Sequence, residues 1–117
     1  MIILHPVYYG RMRKSLLILL FFVSLGGVHK ASAQLDKHYF FYVGRSYIID
    51  NKFRDAIETL NVLLKVDEKA YEGYFLRGIA KYNLDDLLGA EQDFSYAIEN
   101  NPVFTAAYQY RAITRSR

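Results

Sequence analysis

Residues 71–102 read YEGYFLRGIAKYNLDDLLGAEQDFSYAIENNP. Two amphipathic segments flank a short polar turn, and most of their landmarks return at one fixed interval. Gly44, Gly78 and Ala112 are evenly spaced, and the same step separates Ala56 from Ala90 and Phe41 from Phe75. A period of about 34 residues, carrying a helix–turn–helix pattern, predicts an all-α solenoid of helical hairpins in which each hairpin buries its apolar stripe against its neighbours. That supports a binding scaffold as the class of function without naming a partner.

Working outward, the first unit covers residues 37–70. Its leading helix, 38–49, places Phe40, Val43, Gly44 and Tyr47 on one helical face. Asp50-Asn51 breaks it, with Asn51 expected to cap a second helix over 53–66 that aligns Phe53, Ile57, Leu60 and Leu64, with Ala56 and Leu63 beside them. The second unit, 71–104, repeats this with helices over 71–83 and 87–99; Tyr74, Gly78, Phe94 and Ala97 take the phases of Phe40, Gly44, Leu60 and Leu63. A helical glycine costs about 1 kcal/mol relative to alanine, so two in one phase call for a close helix–helix approach.

Asp67 and Asn101 occupy equivalent junctions, where a short polar side chain is expected to cap the next helix, with Pro102 at its first position. The third unit, 105–117, supplies one helix over about 104–115, with Tyr108 in the phase of Tyr74. Its hairpin partner is missing. Arrays usually need about three units, so the expectation is two full repeats plus the first helix of a third, in the N-terminal part of a longer chain. Self-association through the last helix is the expectation if the chain is complete.

The net charge of +3 suggests a basic protein, but its distribution argues otherwise. Residues 1–33 hold Arg11, Arg13, Lys14 and Lys30 and no acid, whereas residues 34–117 hold eleven Lys/Arg against twelve Asp/Glu. Nucleic-acid binding needs clustered basic side chains on the folded part, and no nucleic-acid partner is expected. Residues 1–33 read instead as a secretory signal peptide: basic start, apolar run 16–23, and small residues Ala31-Ser32-Ala33 before the cut. The uncharged stretch 15–28 falls short of the roughly 18 to 20 residues of a membrane-spanning helix. Membrane contact is expected only through this signal, were it left uncleaved. Residues 1–11 fit no part of the pattern and suggest an over-extended start, with Met12 the more natural one. Cleavage after Ala33 leaves Gln34 to Arg117, exported to the periplasm or secreted.

On these residues the chain resembles the tetratricopeptide repeat (TPR) family. Unit one matches with Phe40, Val43-Gly44, Tyr47, Ala56 and Leu60, and unit two with Tyr74, Gly78, Ala90, Phe94, Ala97 and Pro102. Unit one departs at Leu63 and Glu68, where Ala and Pro are usual. Unit two departs at Arg77 and Lys81, where an apolar residue and an aromatic are usual; Arg111 repeats Arg77. The resemblance implies a right-handed superhelix whose leading helices line a concave groove for a peptide or protein segment. Carried over by position, the groove would present His38, Phe41, Arg45 and Ile48, then Glu72, Phe75, Ile79 and Tyr82, then Gln109 and Ile113. The Lys/Asn/Arg carboxylate clamp of some family members is not visible, because Phe41 and Arg45 stand where its Lys and Asn belong.

Enzyme chemistry finds little to use, and no catalytic residue is expected. There is no cysteine, and His38 is the only histidine after Ala33, so neither a thiolate site nor a multi-histidine metal site is available. No glycine-rich phosphate loop occurs, and no cofactor is expected. Asp85-Asp86 reads as capping, with Asp85 aligned to Asn51; Glu91, Asp93 and Glu99 read as a solvated helix face. The expected function is an exported protein–protein interaction scaffold. The alternatives are an extracytoplasmic sensor segment of a longer signalling protein and a membrane-tethered envelope assembly factor.

Overall fold

The computed structural model describes the backbone of residues 27–117 and the side chains of Asp36–Arg117. The described residues are all-helical, without a strand: α1 (Gly27–Ile49), α2 (Phe53–Val66), α3 (Tyr71–Asn83), α4 (Leu87–Asn100) and α5 (Thr105–Ser116). Most of residues 1–33, and with them most of the expected signal segment, lies outside the description. α1 nevertheless starts well before the helix expected at 38, and runs through Ala31 and Ala33. No proline or paired glycine interrupts that stretch, so nothing local ends the helix there. No helix among the described residues is long and apolar enough to cross a membrane.

Within Asp36–Arg117, neighbouring helices pack in chain order: α2 on α3, α3 on α4, α4 on α5, with a smaller contact between α3 and α5. The buried stripes follow directly from residue spacing. α2 buries Ala56, Leu60, Leu63 and Leu64, and α4 buries Ala90, Asp93, Phe94 and Ala97. Phe40, Phe41, Tyr47 and Ile48 of α1 pack over the cluster formed by Ala56, Leu60, Leu63 and Ala80. The two glycines in one phase sit where two helices nearly touch. A Cβ built on Gly44 would stand 2.7 Å from Leu60 Cδ2, and one on Gly78 would stand 2.6 Å from Phe94 Cε1. Leu60 and Phe94 are themselves one period apart, so one contact occurs twice.

The turns correct the expected caps. Asn51 and Asp85 are aligned as expected, but both adopt positive φ, 58° and 62°. They close the preceding helix rather than open the next one. Lys52 N donates to Tyr47 O at 2.8 Å and Asp86 N to Lys81 O at 2.9 Å, the six-residue closure of a Schellman motif. Short polar side chains tolerate the left-handed region better than other non-glycine residues, which is why Asn and Asp stand there. The side-chain cap on α4 is Asp86, whose carboxylate accepts from Gly89 N at 3.0 Å; Lys52 offers α2 none.

Asp67 and Asn101 likewise end helices rather than cap the next. Their backbone N–H groups donate to Leu63 O and Ala97 O, and their side chains accept from Lys69 N and Val103 N within the turn. α3 and α5 then start after Ala70 and Phe104 with no side-chain cap, so Pro102 lies in the turn, ahead of the helix that opens at Thr105. A tyrosine tether replaces the cap: Tyr74 Oη donates to Glu68 O at 2.8 Å and Tyr108 Oη to Pro102 O at 2.9 Å.

The close contact at Gly78 sets a sign that helix propensity alone would reverse. Gly78→Ala gains about 1 kcal/mol of propensity but forces a methyl into the buried Phe94 ring, at about 1–3 kcal/mol. We expect a lower urea midpoint for Gly78→Ala, partly restored by combining it with Phe94→Leu. A raised midpoint in the single variant would show that the ring gives way freely.

Candidate protein-binding surface

The ten groove residues carried over by position do not form one continuous lining. His38, Arg45, Glu72, Gln109 and Ile113 are exposed, whereas Phe41, Ile48, Phe75, Ile79 and Tyr82 are half-buried. Phe41 and Ile48 spend much of their surface on the α1–α2 core. Phe75 joins an aromatic cluster, with ring centroids 4.9 Å from Phe104, 5.3 Å from Tyr110 and 5.8 Å from Phe94. The Arg117 guanidinium lies 4.9 Å over the Tyr82 ring while bonding Asp85 at 2.9 Å.

Three of the ten do come together. His38, Phe41 and Glu72 line a cleft of about 420 Å³, walled also by Lys37, Tyr42, Leu63, Asp67, Lys69 and Tyr71. α1 supplies one wall, the α2–α3 turn the floor, and the first turn of α3 the other wall. Gly73 lets the α3 wall approach, since a Cβ there would meet Leu63 Cδ2 at 3.0 Å. The charged rim carries both signs. Lys37 pairs with Asp67, and that hydrogen bond holds the Asp67 carboxyl below its usual range. Glu72, hydrogen-bonding beside Tyr71, pushes the Tyr71 hydroxyl up. Spacing along one helix face could not reveal Lys37, Asp67 and Lys69 as neighbours, because a turn brings them together.

One expected solvated residue is not solvated. Asp93 is 1% exposed. Arg77 Nε and Nη2 donate to its two carboxylate oxygens at 2.8 and 2.7 Å, Lys81 Nζ approaches at 3.1 Å, and Arg77 Nη1 reaches Asn61 Oδ1 at 2.9 Å. The Asp93 bond holds the Arg77 guanidinium in its charged form more firmly still. The correction has a sequence signal. Asp93 directly precedes Phe94 and lies one helical turn from Ala90, so it falls in the buried phase of α4, and the cations Arg77 and Lys81 stand on the facing helix. Among the described residues no buried side-chain nitrogen or oxygen lacks a partner. The network is therefore complete as a structural joint of α2, α3 and α4.

The remaining polar residues do not converge. His38 is exposed on the cleft rim, Asp85 pairs with Arg117, and Asp86 caps α4. Among the described residues no group of three or more His, Cys, Asp or Glu could hold a metal ion. Comparison of the chain with protein-family models and with curated proteins finds no match.

Two measurements test these assignments. Asp93→Ala leaves the Arg77 charge buried without its partner, a loss of about 3–5 kcal/mol in chemical unfolding. Glu91→Ala, which removes the more exposed pair with Arg115, should cost no more than about 1 kcal/mol. The Asp67 pair predicts an acid limb. Its folded value lies below the unfolded value of 3.8, so its stabilisation is complete above that pH and fades as pH falls through the folded value. Lys37→Gln should flatten that part of a stability-versus-pH profile, by less than about 1 kcal/mol because the pair is partly exposed.

Proposed function

We propose that this chain is an exported TPR-type scaffold that binds a peptide or protein segment across the leading helices of its hairpins. In this reading residues 37–117 form a right-handed solenoid, and the cleft at His38, Phe41 and Glu72 anchors the bound segment. The cleft carries the proposal: three of the ten residues carried over from the TPR resemblance line one concavity of about 420 Å³. Its aromatic walls and mixed-sign rim suit an extended or helical segment holding one apolar anchor between charged residues. Repetition supports the solenoid, since the Gly44–Leu60 and Gly78–Phe94 contacts, the two left-handed turns and the two tyrosine tethers each recur after one period. The export reading rests on residues 1–33, with their basic start, apolar run and A-x-A site.

Selection of the full chain against a displayed random-peptide library tests the binding reading. Selected peptides should lose about tenfold in affinity on His38→Ala or Glu72→Arg, both exposed sites whose change leaves helicity intact. Binders indifferent to both changes, or no binders at all, would move the function elsewhere. Export has its own check: protein recovered from secreting cells should begin at Gln34.

A further inference from the structure

We infer that the cleft between α1 and α3 takes a phenylalanine side chain of a partner's peptide segment, its ring seated against Phe41. This rests on the reading of the cleft as the peptide site and narrows that reading to one kind of anchor. The repeat itself supplies the reason. Ala70 and Phe104 stand one period apart, each directly before a leading helix. Their backbones agree, with φ −71° and ψ 86° at Ala70 and φ −80° and ψ 88° at Phe104. The turns around them carry the same bonds. Ala70 N donates to Asp67 O and Phe104 N to Asn101 O, while Ala70 O accepts from Gly73 N and Phe104 O from Ala107 N. The two side chains therefore leave equivalent backbones in the same direction.

What differs is the side chain. Phe104 is half-buried, its ring edge-on to two others, with centroids 4.9 Å from Phe75 and 5.1 Å from Tyr71. One period earlier Phe41 and Lys37 stand where Phe75 and Tyr71 stand, and Ala70 offers only a methyl. Phe41, Lys37 and Ala70 all line the cleft, so the cleft is the hollow that Phe104 fills in the next repeat. Leu63, in the place of Ala97, takes up part of that room, and Gly73, in the place of Ala107, returns some. The volume of about 420 Å³ that remains lies within the roughly 300–1,000 Å³ of ordinary ligand pockets. The charges at this wall, Lys37 and Asp67, already pair with one another, so the hollow calls for a neutral ring rather than an ion. Leucine would fill volume there but would lack the ring-on-ring contact that adds affinity beyond the area buried.

The probe is N-acetylphenylalaninamide, titrated into the full 117-residue chain while backbone amides are followed by NMR, with N-acetylleucinamide as the control. The aromatic probe should shift the amides of Ala70, Tyr71 and Gly73 and bind about fivefold more tightly than the leucine probe. Ala70→Phe should abolish those shifts, because its own ring fills the hollow. Phe41→Leu should bring the two probes level, because the ring they discriminate by is gone. Helicity of both variants is checked by circular dichroism, and the two-probe comparison on the unaltered chain needs neither. Equal binding of the two probes at the cleft overturns the aromatic anchor and leaves the cleft reading standing, since the selected peptides and Glu72→Arg judge that reading separately. Shifts elsewhere on the chain, no shifts at millimolar probe, or an aromatic preference that survives Phe41→Leu also overturn the proposal. Shifts that arise only after removal of residues 1–33 would place the chain's own segment in the cleft and overturn binding of a partner's.

Discussion

α3 and α4 cross at Gly78 so closely that a single methyl would strike the Phe94 ring, and α1 and α2 repeat the contact at Gly44 and Leu60. Helices that approach this far bury a large side chain against bare backbone, so one aromatic or leucine fills the interface without a facing partner of similar size. The cost is about 1 kcal/mol of helix propensity at each glycine, offset by dispersion and apolar burial at Phe94 and Leu60, both 0% exposed. Ala56 and Ala90 serve the same geometry from the opposing helix. The hairpin angle therefore depends on a few small residues whose identity matters more than their hydrophobicity.

Within the second hairpin the joint is polar. Asp93 brings a carboxylate into the interior, and the arrangement is tolerable only because Arg77 and Lys81 neutralise it, while Asn61 accepts from a further guanidinium N–H. Such a cluster contributes less net stability than apolar packing of equal volume, since desolvation of three charges opposes their attraction. What it adds is geometry. A bidentate fork accepts one orientation, so it fixes the register of α3 on α4, and the Asn61 bond ties the same guanidinium to α2.

The cleft by α1 and α3 combines an aromatic wall with charges of both signs, some already paired with one another, as in Lys37 with Asp67. A segment bound there would exchange rim contacts rather than neutralise a net charge.

Helix number and phase were legible in the sequence, because a helical apolar stripe and a fixed repeat period are one-dimensional signals. The bounds of the second helix, 53–66, and the meaning of Gly44 and Gly78 follow from those signals alone. The turn roles were not legible: Asn51 and Asp85 suit an N-cap as well as a left-handed helix end, and only the backbone path chooses between them. The burial of Asp93 was a third kind of case. Its phase was visible, but a carboxylate in the apolar phase gains meaning only from cations on other helices, and Arg77, Lys81 and Asn61 reach it across chain separations that no local pattern spans. The cleft depends on tertiary structure for the same reason. His38, Phe41 and Glu72 became neighbours of Lys37, Asp67 and Lys69 when two helices and a turn converged. Sequence determined which faces are buried; packing in three dimensions decided which charged residues could be buried with them, because the energy of a charge depends on all of its neighbours at once.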